Sequence, residues 1–219
     1  MVNVGIIGFG YWGPNLARNF NMDPNAKLLK IADTNSERCK LAQKNRPQTE
    51  VTTNTEELIK ALDIDLIVIA TPVSTHFELA IKALENGKHV WIEKPITSSS
   101  KEARILADKA QQKNLIVTVD HTYLFSGAIS KIKNILTKKE LGDLYYYDSV
   151  RVNLGLFQHD VNVIWDLATH DFSIMNYLLG SPARAVSAVG ACHINKLEDV
   201  GYITIFFDNN LIAHLHVNW

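Results

Sequence analysis

Cysteine is scarce in this sequence: among 219 residues only Cys39 and Cys192 occur, far apart and in no CxxC or Cys/His cluster. Neither a disulfide framework nor a structural metal site is expected, and a reducing, cytoplasmic setting is the natural one. An excess of charge of one sign is also missing. The 22 Lys and Arg residues stand against 23 Asp and Glu, a net charge of −1, without the basic surplus of a nucleic-acid-binding chain. No apolar run reaches the roughly 18 to 20 residues that cross a bilayer, and Met1–Ile7 lacks the basic lead of a signal peptide. Nucleic acid and membrane are therefore not expected as partners. What is present is ordinary for a globular chain, 47% hydrophobic and 21% charged, long enough for one large domain or two small ones.

The first half alternates short Val/Ile/Leu runs with amphipathic stretches, the pattern of an α/β fold with a parallel sheet covered on both faces. Strands are expected at Val2–Ile7, Leu28–Ala32, Leu66–Ala70, His89–Ile92 and Leu115–Val119. Helices are expected near Trp12–Asn21, Ser36–Asn45, Thr55–Ala61, Thr75–Asn86 and Lys101–Lys113. Asn86-Gly87 can stop one of them and Ser98-Ser99-Ser100 can cap the next. Beyond about residue 120 the texture changes. Tyr145–Val152, Ala185–Ala191, Tyr202–Phe207 and Leu211–Val217 read as strands of an open, largely antiparallel sheet, with helices at Phe125–Lys138 and Ile164–Leu179. Two domains follow, residues 1–120 and 121–219, read as two lobes with a cleft between them. The sequence stops at Trp219 inside an apolar strand pattern. That end implies either truncation or a second copy covering the edge, and self-association through the second sheet is expected.

The strongest chemical signal is Gly8-Phe9-Gly10-Tyr11-Trp12-Gly13, between the first strand and the first helix. Gly8 permits the tight turn, Gly10 lets the backbone approach a pyrophosphate, and Gly13 lets helix pack on strand. Asp33 follows Gly13 by 33 − 13 = 20 positions, at the end of the second strand. A carboxylate there accepts ribose hydroxyls and repels a 2′-phosphate, which favours NAD over NADP, although nearby Arg38 leaves NADP open. Ala70-Thr71-Pro72-Val73-Ser74-Thr75-His76 leaves the next buried strand at the sheet edge where ligands bind. Thr71 and Pro72 can pack on the cofactor, and His76 is either a site residue or a structural one. Glu93-Lys94-Pro95 ends a further strand. A partly desolvated Lys94 can exchange a proton with a substrate hydroxyl; a solvated strand-end lysine is the alternative.

These three segments, at these spacings, resemble the Gfo/Idh/MocA family of NAD(P)-dependent oxidoreductases. The resemblance implies a Rossmann domain followed by an α/β domain with an open sheet, and a catalytic or substrate-binding role for Lys94. In the second half Asp166 and His170 are i and i+4 on one expected helix, a carboxylate beside an imidazole that can act as a base. Alone they also fit a surface pair with no task; in the family an Asp-x-x-x-His helix lines the active site. His121, Tyr123, Arg151, Asn153 and His159 are further candidates for substrate contact, Arg151 and Asn153 toward an acidic or phosphorylated group. His214 and His216 share a strand face, but no third ligand suggests a metal. The expected activity is hydride transfer between a sugar hydroxyl and NAD. Gly10–Asn15 with Gln158–Asp171 resembles the nucleotide-sugar branch, which acts on UDP-N-acetylglucosaminuronate. Two rivals remain: a dinucleotide-binding regulatory or scaffold protein without turnover, and an S-adenosylmethionine-dependent methyltransferase, which explains neither Glu93-Lys94-Pro95 nor the Asp166/His170 pair.

Overall fold

Six parallel strands form the first sheet: β1 (Val2–Ile7), β2 (Ala26–Ala32), β3 (Glu50–Thr52), β4 (Leu66–Ile69), β5 (His89–Ile92) and β6 (Val117–Val119). Their spatial order is β3-β2-β1-β4-β5-β6, so the chain runs outward from β1 in one direction and then in the other. The reversal beside β1 is the switch point at which doubly wound sheets bind ligands. The computed structural model describes residues 1–154, 157–208 and 210–219.

Helices α1 (Gly13–Met22), α2 (Ser36–Asn45), α3 (Thr55–Lys60), α4 (His76–Glu85) and α5 (Ser100–Gln112) connect these strands. Alternate strand residues enter separate cores. Val4, Ile6 and Val68 join Phe9, Leu16, Ala17 and Ala42, whereas Ile7, Ile67 and Ile69 join Leu58, Ala80, Leu84 and Leu106. Both sheet faces are therefore buried, which is why these strands read as unbroken apolar runs rather than alternating ones. The helix ends follow the sequence signals: Asn35, Asn54 and Ser99 accept from the first free N–H groups of α2, α3 and α5, and Gly87 takes φ of 75° just beyond α4.

The chain divides into compact units Met1–Asp120 and His121–Trp219. The second contains α6 (Gly127–Thr137), β7 (Tyr146–Val152), α7 (Thr169–Leu179), β8 (Ala185–Ala191), β9 (Val200–Phe206) and β10 (Ile212–Asn218). Its sheet is ordered β7-β10-β9-β8, with β9 antiparallel to both neighbours and β7 parallel to β10. One face is buried: Ile203, Ile205, Ala213, Leu215 and Val217 pack with Val163, Leu167, Ala168 and Met175. The other exposes Tyr146, Val150, Val152, Tyr202 and Ile212.

The structure departs from the sequence pattern in a few places. β3 is not anticipated, because three residues carry no periodicity and only pairing with β2 extends them. The helix expected over Ile164–Leu179 is two segments, a π turn at Ile164–Ala168 followed by α7. The one expected over Phe125–Lys138 begins instead with a 3-10 turn at Thr122–Phe125, and Ser126 then caps α6 through Ile129 N. Likewise α4 is preceded by a 3-10 turn at Val73–Thr75. Among the described residues no helix is long and apolar enough to cross a membrane, and no cluster of side chains could hold a metal ion.

Candidate active site

The register of the first sheet assembles the candidate residues. Ile7 pairs with Ala32 and Ile69, Ile69 with Ile92, and Ile92 with Val119. Gly8, Asp33, Ala70, Glu93 and Asp120 are thus the next residues out on five neighbouring strands. Backbone bonds carry the ladder through that row: Gly8 N to Ala32 O, Ala70 N to Ile7 O, Glu93 N to Ile69 O and Asp120 N to Ile92 O, each 2.8–2.9 Å.

Two glycines are required by space. Gly8 has φ of +99°, and a Cβ there would lie 2.5 Å from the Ala70 carbonyl oxygen; at Gly13 it would lie 2.4 Å from Gly8 O. At Gly10 a Cβ would meet only the Arg38 guanidinium, at 3.6 Å, so the loop is open on the side a pyrophosphate must approach. No side chain caps the α1 N-terminus; Pro14 carries no N–H and Asn15 N bonds to Trp12 O at 3.0 Å, so what this helix start offers an anion is chiefly the positive end of its dipole. Asp33 is buried. Its Oδ2 accepts from Phe9 N (2.7 Å) and its Oδ1 from Asn35 N (2.8 Å), which fixes the carboxylate beside the glycine loop, with Arg38 Nη1 3.7 Å away. This chain therefore holds an open glycine loop at the start of α1 with an anchored, buried carboxylate beside it. Tyr11 and Trp12 are exposed and stack edge to face at 5.4 Å.

On the other side of β1, Thr75 Oγ1 donates to Thr71 Oγ1 (2.7 Å) and lies 2.8 Å from Pro72 O, tightening the turn. His76 points inward. It is 1% exposed, with Nδ1 2.9 Å from Pro95 O and Nε2 2.9 Å from Thr71 O. It ties the Thr71 and Pro95 loops together from beneath. Lys94 is half-buried between Glu93 and a cis-bonded Pro95. Burial first, then the charge and hydrogen bond of Asp120, push the Glu93 carboxyl up to about 7; the Lys94 charge and its backbone N–H pull the other way.

In the second unit Asp166 is buried, and its Oδ2 accepts from Trp219 Nε1 at 3.0 Å. The His170 ring packs edge to face against Tyr123, centroids 4.8 Å apart. Arg151 lies over the Tyr123 ring, its Cζ 4.7 Å from the centroid. Its Nε and Nη2 donate to the two oxygens of Asp171 at 2.8 and 3.2 Å. Burial opposes the charge on Arg151, but the bonds and charge of Asp171, with a smaller contribution from the Tyr123 hydroxyl, outweigh it and hold the guanidinium above its ordinary range. Asp171 and Trp219 carry no motif that singles them out; the period-2 inward face of β7 is the only pointer toward the first. Asn153 and His159 are exposed and His121 is half-buried. His214 and His216 flank Tyr202 as stacked rings at 6.3 and 4.4 Å.

Comparison with known proteins agrees with this reading. Residues 2–121 match the family model described as "Oxidoreductase family, NAD-binding Rossmann fold", and residues 129–219 match the "GFO/IDH/MocA C-terminal domain". The chain is 29% identical over 195 residues to scyllo-inositol 2-dehydrogenase (NAD(+)) of Bacillus subtilis, covering 86% of this chain and 57% of that protein. It is 28% identical over 219 residues to UDP-N-acetylglucosamine 3-dehydrogenase of Acidithiobacillus ferrooxidans, covering 98% and 66%. GenD2 from gentamicin A biosynthesis, solved in complex with NAD, shares the fold with a TM-score of 0.93 at 23% identity, over 100% of this chain and 66% of that one. With both of its units matched in sequence order, the chain belongs to the GFO/IDH/MocA family of oxidoreductases and carries that family's NAD-binding Rossmann domain.

Proposed function

We propose that the protein carrying this chain is an NAD-dependent dehydrogenase of a secondary hydroxyl on a sugar or polyol, with nucleotide-linked sugars as its finer substrate class. The observation that carries this is the single row Gly8, Asp33, Ala70, Glu93, with Lys94 immediately beyond it. A glycine cradle, a ribose-binding carboxylate and a half-buried lysine share the carboxyl edge of one sheet. Bound NAD supplies the hydride acceptor for the carbinol carbon. Lys94 takes the hydroxyl proton as the carbonyl forms, and its ammonium form stabilises the developing oxyanion. Thr71 and Pro72 shape the cofactor loop. In the second unit His170 and Asp166 are assigned to the hydroxyls of the substrate, with His170 the alternative base, and His121, Tyr123, Asn153 and His159 to its surroundings. The uncovered face of the second sheet is assigned to self-association.

The test is NADH formation by the purified protein with inositols and UDP-N-acetylglucosamine derivatives, for the parent and Lys94→Met. Turnover with at least one of them is expected, and Lys94→Met should lose about 10²–10⁴-fold in kcat with NAD affinity kept. NAD binding without turnover in either protein would instead leave a dinucleotide-binding protein with no reaction.

A further inference from the structure

Four side chains of the second unit close a ring of contacts. Asp171, 2% exposed, accepts from Arg151 Nε and Nη2 and from Ser149 Oγ at 2.6 Å. Arg151 lies over the ring of Tyr123, and Tyr123 meets the ring of His170. The peptide bond from His170 to Asp171 at the start of α7 completes the circuit. Each link has a physical reason. A buried carboxylate needs its lone pairs filled, and a guanidinium gripped through two nitrogens has its plane fixed. A fixed guanidinium then offers a flat cationic face to an aromatic ring. Tyr123 itself sits in a 3-10 turn outside any sheet or long helix, so its ring depends on such contacts for a defined position.

We propose that Asp171 and Arg151 are positioning residues, which hold the Tyr123 ring against His170 and so fix the direction in which the His170 imidazole presents its nitrogens. This rests on the reading of His170 as a substrate-facing group, and it replaces a direct role for Arg151 in gripping an acidic substrate group. Two guanidinium nitrogens and one face are already committed within the protein. A freely turning imidazole would bind a hydroxyl in several orientations, of which few place the acceptor nitrogen for proton transfer, so the circuit acts on the rate rather than on affinity.

The experiment reads His170 directly by NMR at fixed pH, its ring-proton signals being assigned by their loss in His170→Asn. Tyr123→Leu defines the shifts without the neighbouring ring. Arg151→Lys keeps the charge but loses the two-pronged grip and the flat face; Asp171→Asn keeps the shape but loses the charge. The proposal expects the His170 signals of both to move toward those of Tyr123→Leu, while Tyr123→Phe, which keeps the ring and loses only the hydroxyl's bond with Arg151, moves them less than either. Signals that stay at the parental position in a folded Arg151→Lys overturn it, whatever becomes of Asp171→Asn. With any substrate the protein turns over, Arg151→Lys should lower kcat by about 10- to 100-fold with KM within two-fold. A raised substrate KM at unchanged kcat would make Arg151 a substrate contact and also overturn the proposal. If no polyol or sugar is turned over, the function proposed above fails and the NMR arm still decides this one.

Discussion

The two sheets are covered differently. The parallel sheet places one core on each face, so Val68 and Ile69, adjacent on β4, are both buried in separate clusters. The second sheet buries one face only; on β10, Leu215 lies in the core while Ile212 is exposed. The difference decides where function can be built. A sheet covered on both sides has only its edge left for chemistry, and the edge row Gly8, Asp33, Ala70, Glu93 and Asp120 is set by strand register. A one-sided sheet has inward side chains to spare for polar work, and β7 uses them: Tyr147, Ser149 and Arg151 alternate with exposed Tyr146, Asp148, Val150 and Val152. The first unit positions groups through its backbone, the second through side-chain networks.

The sharpest break of that contrast is at glycine. Gly8→Ala forces a Cβ against the Ala70 carbonyl at a positive φ, where neither the ladder nor the turn can yield. Loss of folding, or of some 3–5 kcal/mol together with NAD binding, is expected. Gly201→Ala in β9 meets Ile164 Cγ1 at 2.8 Å, a side chain that can turn, and should cost about 1–3 kcal/mol. Thermal melting and an NAD fluorescence titration check both. Equal losses would mean that the second unit is as rigid as the first.

The same contrast explains what could be read in advance. Gly8–Gly13, Asp33 and Glu93-Lys94 are legible because each meets a backbone demand at a strand end, and such demands are written within a few residues. Asp171 meets Arg151 across 20 positions and Trp219 meets Asp166 across 53, so these links have no local signal. Period-2 alternation turns Arg151 inward on β7, but cannot say that a buried carboxylate already holds it. His76 shows the limit in the first unit: its motif marks the ligand edge, while its contacts with Thr71 O and Pro95 O point it inward. β3 is invisible because its three residues borrow their extension from β2.

A second test separates the two faces of the mixed sheet. Leu215→Ala, fully buried, should cost about 2–5 kcal/mol in denaturant unfolding. Val150→Ser, 68% exposed, should leave the stability of the single chain within about 0.5 kcal/mol. If the open face mediates self-association, the Val150 variant instead lowers the assembled fraction in sedimentation; an unchanged distribution removes that face from the proposal.

Buried carboxyls supply a test in pH, because the units hold groups shifted in opposite directions. Glu93 is raised from 4.5 to about 7, so the folded chain holds a proton that the unfolded chain releases. Its stabilising contribution is complete below pH 4.5 and is lost as pH rises through 7, on the order of 1–3 kcal/mol. Asp199 in the second unit is lowered, chiefly by its bond with His193, so its contribution is present above its unfolded pKa and is lost as pH falls. Denaturation midpoints between pH 5 and 8 should therefore fall in the parent and flatten in Glu93→Gln. A parallel fall in both proteins would place the proton elsewhere.

The smallest effect is expected at Arg38, the first unit's counterpart of Arg151. Its Nη1 stands 3.7 Å from Asp33 with the side chain 51% exposed, and Asp33 keeps its bonds from Phe9 N and Asn35 N without it. Arg38→Ala should therefore change stability by less than about 1 kcal/mol, whereas the same truncation at Arg151 takes two hydrogen bonds from a buried carboxylate and leaves it the Ser149 hydroxyl. The consequence at Arg38 belongs to binding. Its guanidinium lies over Gly10 and beside Asp33, the carboxylate proposed for the ribose, within reach of a 2′-phosphate that Asp33 alone would repel. Fluorescence titration should show NAD affinity within two-fold of the parent and NADP affinity reduced several-fold. An unchanged ratio would leave cofactor preference to Asp33, and Arg38 would be an ordinary solvated charge that happens to sit at the edge of the site.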